Sequence, residues 1–355
     1  MPLIWDMEID FLIIGQGIAG TAMGYRLEQA GQSFLIFDLP ESNKSSRVAA
    51  GLYNPVTGRK MVKSWMAEYL FPKIEPFYQE MEKITGRQFL TKEKIYRPFL
   101  SIEEQNEWMG HSSDPKIALF IDEIFTTSQY PELRDPFGGV LLRLSGWLNI
   151  KDYLDGMGEY FGDRLLRTEF DENLLEKTPQ GWRYDQTINA KSLLYCNGLG
   201  ALQSRFFSYL PFAPVKGEIL EVEQAFDPDF IVNRGVFRVK LEKGVYRVGS
   251  TYTWHDLGSG PTESAKNEIL SKLLEVVRVP VTAVKSHKVG IRPATKDRKP
   301  FLGKHPKEDS VYMFNGFGAK GVSLVPYFSK IMTEYLIKSQ PILPEVDIAR
   351  YFKYI

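Results

Sequence analysis

The sequence predicts a chain of α/β plus α+β class, in which one parallel-sheet unit is assembled from non-contiguous segments around a separate antiparallel sheet. Three observations predict it. A β-α-β unit opens the chain, strand-like alternation dominates residues 212–253, and a strand, a glycine turn and a helix close it.

The elements follow in order. Ile9 to Ile14 is an apolar run of the kind that forms a buried parallel strand. A glycine-rich turn, Gly15 to Gly20, leads into a helical pattern from Thr21 to Gln29, with Gly31 as its stop. A second apolar run, Phe34 to Phe37, ends in Asp38. Pro40 to Lys60 reads as loop, and Ser64 to Lys83 has helical spacing. Residues 89–138 are mixed and polar with several prolines, which suits a separate cap or substrate region. Gly139 to Leu144 reads as a strand and Asn149 to Tyr160 as a helix. Several short strands follow between Arg164 and Cys196, closing on the turn Asn197-Gly198-Leu199-Gly200. Val215 to Val222, Val236 to Leu241 and Val245 to Thr251 read as antiparallel strands. Glu263 to Val277 is an amphipathic helix and Ala283 to Arg292 another strand. The end runs strand (Val311 to Asn315), glycine turn (Gly316 to Gly321) and helix (Val322 to Ile337). Segments 1–80, 139–205 and 286–355 are expected in the parallel-sheet unit, and 81–138 with 206–285 in the other.

Composition narrows the function classes. Among 355 residues, 44 basic side chains balance 44 acidic ones, so charge gives no reason to expect nucleic acid or an anionic membrane as partner. The only cysteine, Cys196, allows no internal disulfide, and no metal cluster is expected. The apolar stretches are short and interrupted by charge, so no membrane span is expected. Met1 to Asp10 lacks the basic start of a secretory signal, and a cytoplasmic location is the default expectation.

Gly15-Gln16-Gly17-Ile18-Ala19-Gly20 matches G-x-G-x-x-G. The first glycine permits the tight turn, the second lets backbone approach a pyrophosphate, and the third lets helix pack on strand. The N–H groups at the helix start attract phosphate. Asp38 stands eighteen residues past Gly20, where its carboxylate can accept hydrogen bonds from a ribose diol. This pattern points to a Rossmann-type dinucleotide site. It disfavours NADP and leaves FAD and NAD open.

Four further segments choose between them: Ser45 to Leu52 (SSRVAAGL), Leu194 to Ala201 (LYCNGLGA), Val289 to Gly303 (VGIRPATKDRKPFLG) and Asn315 to Gly321 (NGFGAKG). Their sequence, order and spacing resemble the D-amino acid oxidase family of FAD enzymes, and its glycine oxidases most closely. The resemblance implies a glutathione-reductase-like FAD domain and an antiparallel-sheet substrate domain. It implies that Ser45, Ser46, Ala50, Gly51 and Leu52 lie along the pyrophosphate and the flavin, that the Phe170 backbone meets the adenine, and that Asn197 and Gly198 pack on the cofactor. It also implies that Phe317, Gly318, Ala319, Lys320, Gly321 and Val322 present a helix N-terminus, carrying roughly half a positive charge, to the flavin pyrimidine edge. No cysteine stands near that last turn, so FAD is expected to be non-covalent.

In the family the arginine of the G-x-R-P motif binds the substrate carboxylate, and Arg292 matches it. A planar guanidinium makes two parallel charge-assisted hydrogen bonds to a carboxylate; the alternative is a structural arginine paired with an acid such as Asp297. The implied reaction is hydride transfer from an amine-bearing carbon to flavin N5, giving an imine that water hydrolyses, with O2 or an unidentified electron acceptor. It needs no side-chain base if the amine binds neutral. The histidines are His111, His255, His287 and His305. Strand parity turns His287 away from Arg292 and leaves Lys288 on its side. Phe237 falls where the family has an active-site tyrosine, and Ala319 where glycine oxidase has a substrate-side arginine, so an amino acid or amine other than glycine is in view. Tyr53, Tyr252 and Trp254 are the candidates to line the pocket instead. Two other readings stay open: the flavin domain that removes a carboxymethyl group in tRNA wobble-uridine modification, and a non-catalytic flavin- or NAD-binding protein.

Overall fold

The computed structural model describes residues 7–39, 45–57 and 62–354. Parts of the expected 40–60 loop, and the residues before Met7, lie outside them. Along the chain come β1 (Met7–Ile14), α1 (Ile18–Gln29), β2 (Phe34–Phe37), α2 (Ser45–Val48), β3 (Leu52–Tyr53), β4 (Val56–Thr57), β5 (Val62–Lys63) and α3 (Ala67–Thr85). Next are β6 (Leu90–Lys92), β7 (Ile95–Pro98), α4 (Ile102–His111), α5 (Pro115–Ala118), β8 (Ile121–Phe125), β9 (Gly139–Leu142), β10 (Gly146–Leu148) and α6 (Ile150–Phe161). Then follow β11 (Leu165–Leu166), β12 (Leu175–Thr178), β13 (Gly181–Tyr184), β14 (Ile188–Tyr195), β15 (Val215–Gln224), β16 (Ile231–Arg234), β17 (Val236–Glu242) and β18 (Val245–Gly249). The last are α7 (Glu263–Leu274), β19 (Val281–Arg292), β20 (Phe301–Lys304), β21 (Val311–Asn315) and α8 (Gly321–Lys338).

Two sheets organise these elements. In the first, β11, β2, β1, β14 and β21 run parallel. The first half of β14 pairs with β13 and its second half with β21, so β21 enters beside β14 only at its carboxyl end. Both faces are covered along the second half of β1, which is why Phe11 to Ile14 are apolar without alternation. Ile13 faces a core shared with α1, α3, α6 and α8. Leu12 and Ile14 face a second core with Trp182, Tyr184, Phe206 and Phe207.

The second sheet has the order β19-β15-β18-β17-β16-β7-β9-β8, antiparallel except between β16 and β7. One face packs Leu220, Val222, Tyr246 and Val248 against Ile269 and Leu273 of α7. The other face turns toward α2, where Gly290 allows close approach: a Cβ there would sit 3.3 Å from Val48 Cβ.

Several expected boundaries move. Helix α1 starts at Ile18, three residues early, because the phosphate-type turn runs straight into it. Helix α3 starts at Ala67, because Met66 is left-handed (φ 53°). Strand β9 and residues 286–292 of β19 were expected with the parallel-sheet unit; their hydrogen bonds place both in the second sheet.

Glu93, between β6 and β7, is half-buried. Burial pushes its carboxyl up to about 7, with Asp229 adding to the shift and Lys240 opposing it. A raised carboxyl gives its full stability below the unfolded value and loses it as pH rises through the folded one. Glu93→Gln is therefore expected to melt above wild type at about pH 8 and level with it at about pH 4, in thermal scans at both.

Candidate cofactor and active site

The first glycine turn is shaped by close backbone packing. Gly15 has φ +99°, and a Cβ on it would lie 2.8 Å from Asn197 Cα. A Cβ on Gly20 would lie 1.8 Å from the Gly15 carbonyl oxygen. Only glycine lets α1, with Ile18 and Ala19 in its first turn, sit this close to β1 and β14. The Gln16 N–H donates to Asp38 Oδ1 at 2.9 Å, while its side chain donates to the Leu154 carbonyl at 2.8 Å. Asp38 thus closes the turn from the end of β2. Its own N–H donates to Leu166 O at 3.0 Å. That bond brings in the segment ending at Phe170, whose ring stacks on Tyr184 at 5.0 Å.

Helix α2 lies across this turn. Ser46 Oγ accepts from the Ile18 N–H at 3.4 Å and sits 3.3 Å from the place of a Gly17 Cβ. Ser45 Oγ donates to the Ile291 carbonyl, one residue before Arg292. Ala50 is half-buried and leads to Gly51 (φ +74°), where a Cβ would lie 1.9 Å from Leu148 O.

The last glycine turn meets the first. Asn315 Nδ2 donates to Gly198 O at 2.9 Å, and Gly318 N–H donates to Pro293 O at 3.1 Å. A Cβ on Gly321 would lie 3.1 Å from Ile18 Cγ2. Helices α1 and α8 therefore both begin at the carboxyl edge of the sheet, on either side of the strand that separates β1 from β21. Phe317 and Val322 are buried, and Ala319 and Lys320 are exposed, with Lys320 Nζ 3.4 Å from Ser64 Oγ.

Arg292 ends β19 between these contacts. Its Nη2 donates to Ser250 Oγ at 2.7 Å; three longer contacts, 3.3 to 3.5 Å, go to the carbonyls of Lys216 and Thr251. The Tyr252 ring centroid lies 4.4 Å from its Cζ. Every one of these partners is neutral. Asp297 is taken by Arg350 at 2.9 Å and Tyr351 at 2.8 Å, so it is not the partner of Arg292. Burial holds the guanidinium below its ordinary value. Phe237 sits opposite Gly249, which sits opposite Ile219, on the sheet face that also carries Arg292. Lys288 shares this face but pairs with Glu221 at 3.0 Å, and His287 faces the other way, 2.8 Å from Glu218.

Tyr53 is a correction. It is 1% exposed in the core packed by α3, so it lines no open pocket. Strand β3 pairs with β10, and that register turns Tyr53 away while Leu52 faces the second sheet's core. Trp254, 62% exposed, stands outside on the same loop as Tyr252. The sequence reading missed Lys216, Ser250 and Thr251, the acceptors for Arg292, and no local signal marks them. Cys196 is buried under Gly20, and burial pushes its thiol up.

The model of the DAO family, FAD-dependent oxidoreductases, matches residues 10–335. The chain belongs to this family. The cofactor of this oxidoreductase is FAD. Its residues fit that group: glycines stand where a Cβ would fill the turn, and Asn197 Oδ1 is buried beside them with no hydrogen-bond partner among the described residues. Glycine oxidase from Pseudomonas putida is 26% identical over 143 residues, 39% of each chain. The tRNA 5-methylaminomethyl-2-thiouridine biosynthesis bifunctional protein of Leptospira borgpetersenii is 23% identical over 82% of this oxidoreductase. That match spans 47% of the relative, so the chain covers less than half the length of either protein. The crystal structure of glycine oxidase from Geobacillus kaustophilus superposes with a TM-score of 0.77, at 18% identity, over 97% of this chain and 98% of that one. The likeness is one of fold. Among the described residues no helix is long and apolar enough to cross a membrane.

Proposed function

We propose that this oxidoreductase oxidises the C–N bond of an amino acid or secondary amine whose carboxylate is held by Arg292. The observation that carries the reading is a half-buried guanidinium with only neutral partners, set within two residues of both cofactor-side contacts, Ile291 to Ser45 and Pro293 to Gly318. A buried cation without a counter-ion is costly unless an anion completes it. We further propose that the first sheet and its helices hold FAD non-covalently, with Asp38 at the ribose, Ser46 and the Gly17 turn at the phosphates and α8 at the pyrimidine edge. The inner face of the second sheet shapes the amine pocket.

When bound, the flavin supplies the hydride acceptor. Arg292 orients the substrate through its carboxylate, and orientation of this kind lowers a barrier by several kcal/mol. Tyr252 covers the guanidinium and limits water there. The C–H bond of the amine-bearing carbon would break with its electron pair leaving as hydride, the nitrogen lone pair would become the C=N bond and the N–H proton would pass to water; water would then hydrolyse the imine to a carbonyl and an amine.

The test is anaerobic mixing of the yellow holoprotein with amino acids, N-methyl and N-carboxymethyl amino acids, and matched amines lacking the carboxylate. Bleaching of the visible flavin band by the acids and not by the matched amines is expected, and equal bleaching by both series refutes the Arg292 reading. Recolouring on admission of air distinguishes an oxidase from a dehydrogenase. The match to the tRNA-modifying relative favours a second reading, in which the carboxymethyl amine is carried on RNA. Salt-sensitive binding of tRNA, with bleaching by the modified RNA alone, would select it.

A further inference from the structure

We infer that Gly217 is a positioning residue for the substrate anchor: its missing side chain is the space in which the Arg292 guanidinium lies. The inference rests on the reading of Arg292 as that anchor.

Strand β15 runs between β19 and β18. Arg292 stands opposite Val215 in that pairing. Its side chain crosses β15 to reach Ser250 and Thr251, just past the end of β18. The crossing passes over Gly217. A Cβ built there would lie 2.1 Å from Nη2, 2.4 Å from Cζ and 2.4 Å from Nη1, in the space the guanidinium occupies. The Tyr252 ring covers the group at 4.4 Å. The cation is therefore layered between peptide backbone and an aromatic face.

Backbone conformation does not explain this glycine. Gly217 lies within a regular strand, away from the left-handed region. A strand-interior glycine weakens the strand and marks a site of close approach. Its cross-strand partner, Gly290, makes the contrast. A Cβ on Gly290 meets Val48 and Ser45 of α2 at 3.3 to 3.7 Å, close packing between elements. A Cβ on Gly217 meets only Arg292 among its three nearest atoms, the far end of a flexible side chain. Substitution should therefore move the arginine and leave the strand in place.

The test compares Gly217→Ala, Arg292→Ala and the double variant as FAD-loaded proteins, with two readouts. One is the steady-state KM and kcat for the best carboxylate-bearing amine from the panel. The other is the Kd of acetate, read from its perturbation of the flavin spectrum. Gly217→Ala is expected to keep its flavin, to weaken acetate binding and raise KM by about tenfold or more, and to change kcat less, since displaced charge-assisted hydrogen bonds are lost. In the Arg292→Ala background the same substitution should change nothing further. Wild-type KM and Kd in Gly217→Ala, or losses that multiply in the double variant, overturn the inference while the anchor reading stands. If Arg292→Ala itself binds acetate and turns over normally, the anchor reading fails first. Should Gly217→Ala melt low, the double variant must recover, because removing the guanidinium vacates the volume. A double variant that melts equally low overturns the inference.

Discussion

Arg292→Ala is expected to purify with its flavin and to lose about a hundredfold or more in kcat/KM for carboxylate-bearing amines, the size of loss seen when one partner of a desolvated charge pair is removed. Flavin should stay because the Arg292 side chain contacts the second sheet, at Lys216, Ser250, Thr251 and Tyr252, and neither glycine turn. Stability should hold or rise. Among the described residues the guanidinium has no carboxylate partner, and only one of its four hydrogen bonds is shorter than 3.3 Å. Removing a half-buried, poorly compensated charge relieves its desolvation cost. The prediction thus has two parts with opposite signs, a large loss of turnover and an equal or higher melting temperature. Steady-state kinetics and a thermal scan on the same preparation check both. A variant that loses the acid and its carboxylate-free analogue equally would mean that Arg292 acts on something other than the carboxylate.

Gly20→Ala should have the opposite profile, losing the cofactor and stability together. Its Cβ would meet the Gly15 carbonyl oxygen at 1.8 Å and the Gly15 carbonyl carbon at 3.0 Å, with Cys196 Cβ at 3.3 Å. The nearest of these are backbone atoms, so no rotamer change relieves the contact. Helix α1 must lift off β1 and β14, a cost of about 3 kcal/mol by comparison with overpacked cores. Lifting α1 also moves the N–H groups of Ile18 and its neighbours away from the turn they share with Ser46 and Gly321. The purified variant is expected to be colourless or weakly yellow, measured as flavin per protein, and to melt below wild type. A fully yellow variant of wild-type stability would remove the first glycine turn from the cofactor cradle.

The parts of this molecule legible in the sequence are those whose signals are local. The β1-turn-α1-β2 unit with Asp38 is written in some thirty consecutive residues, and the closing strand, glycine turn and helix in fewer still. Parity along β19 correctly separates Arg292 and Lys288 from His287. What was not legible depends on distant pairing. Tyr53 occupies a two-residue strand whose facing is decided by β10, nearly a hundred residues on. Strand β9 is a continuous apolar run, GVLL, that would suit a buried strand of either sheet; only its hydrogen bonds to β7 and β8 assign it to the second sheet. Gly217 was within reach. An isolated glycine inside an alternating strand, between Lys216 and Glu218, is a mark of close approach.

The interleaving of the first sheet has a temporal consequence. Strand β14 separates β1 from β21, and β21 is made after the whole second sheet. On the ribosome, a nascent chain can form the β1-turn-α1 nest early, but it lacks α8 and the turn that faces Ile18. Domains complete themselves as units during synthesis, and here the unit proposed to hold the dinucleotide is finished only after the second sheet has been made. In the proposed reading, flavin capture waits for β21 and α8 to be made, when the second sheet has already had time to fold around an arginine that still lacks its neighbour at Gly318.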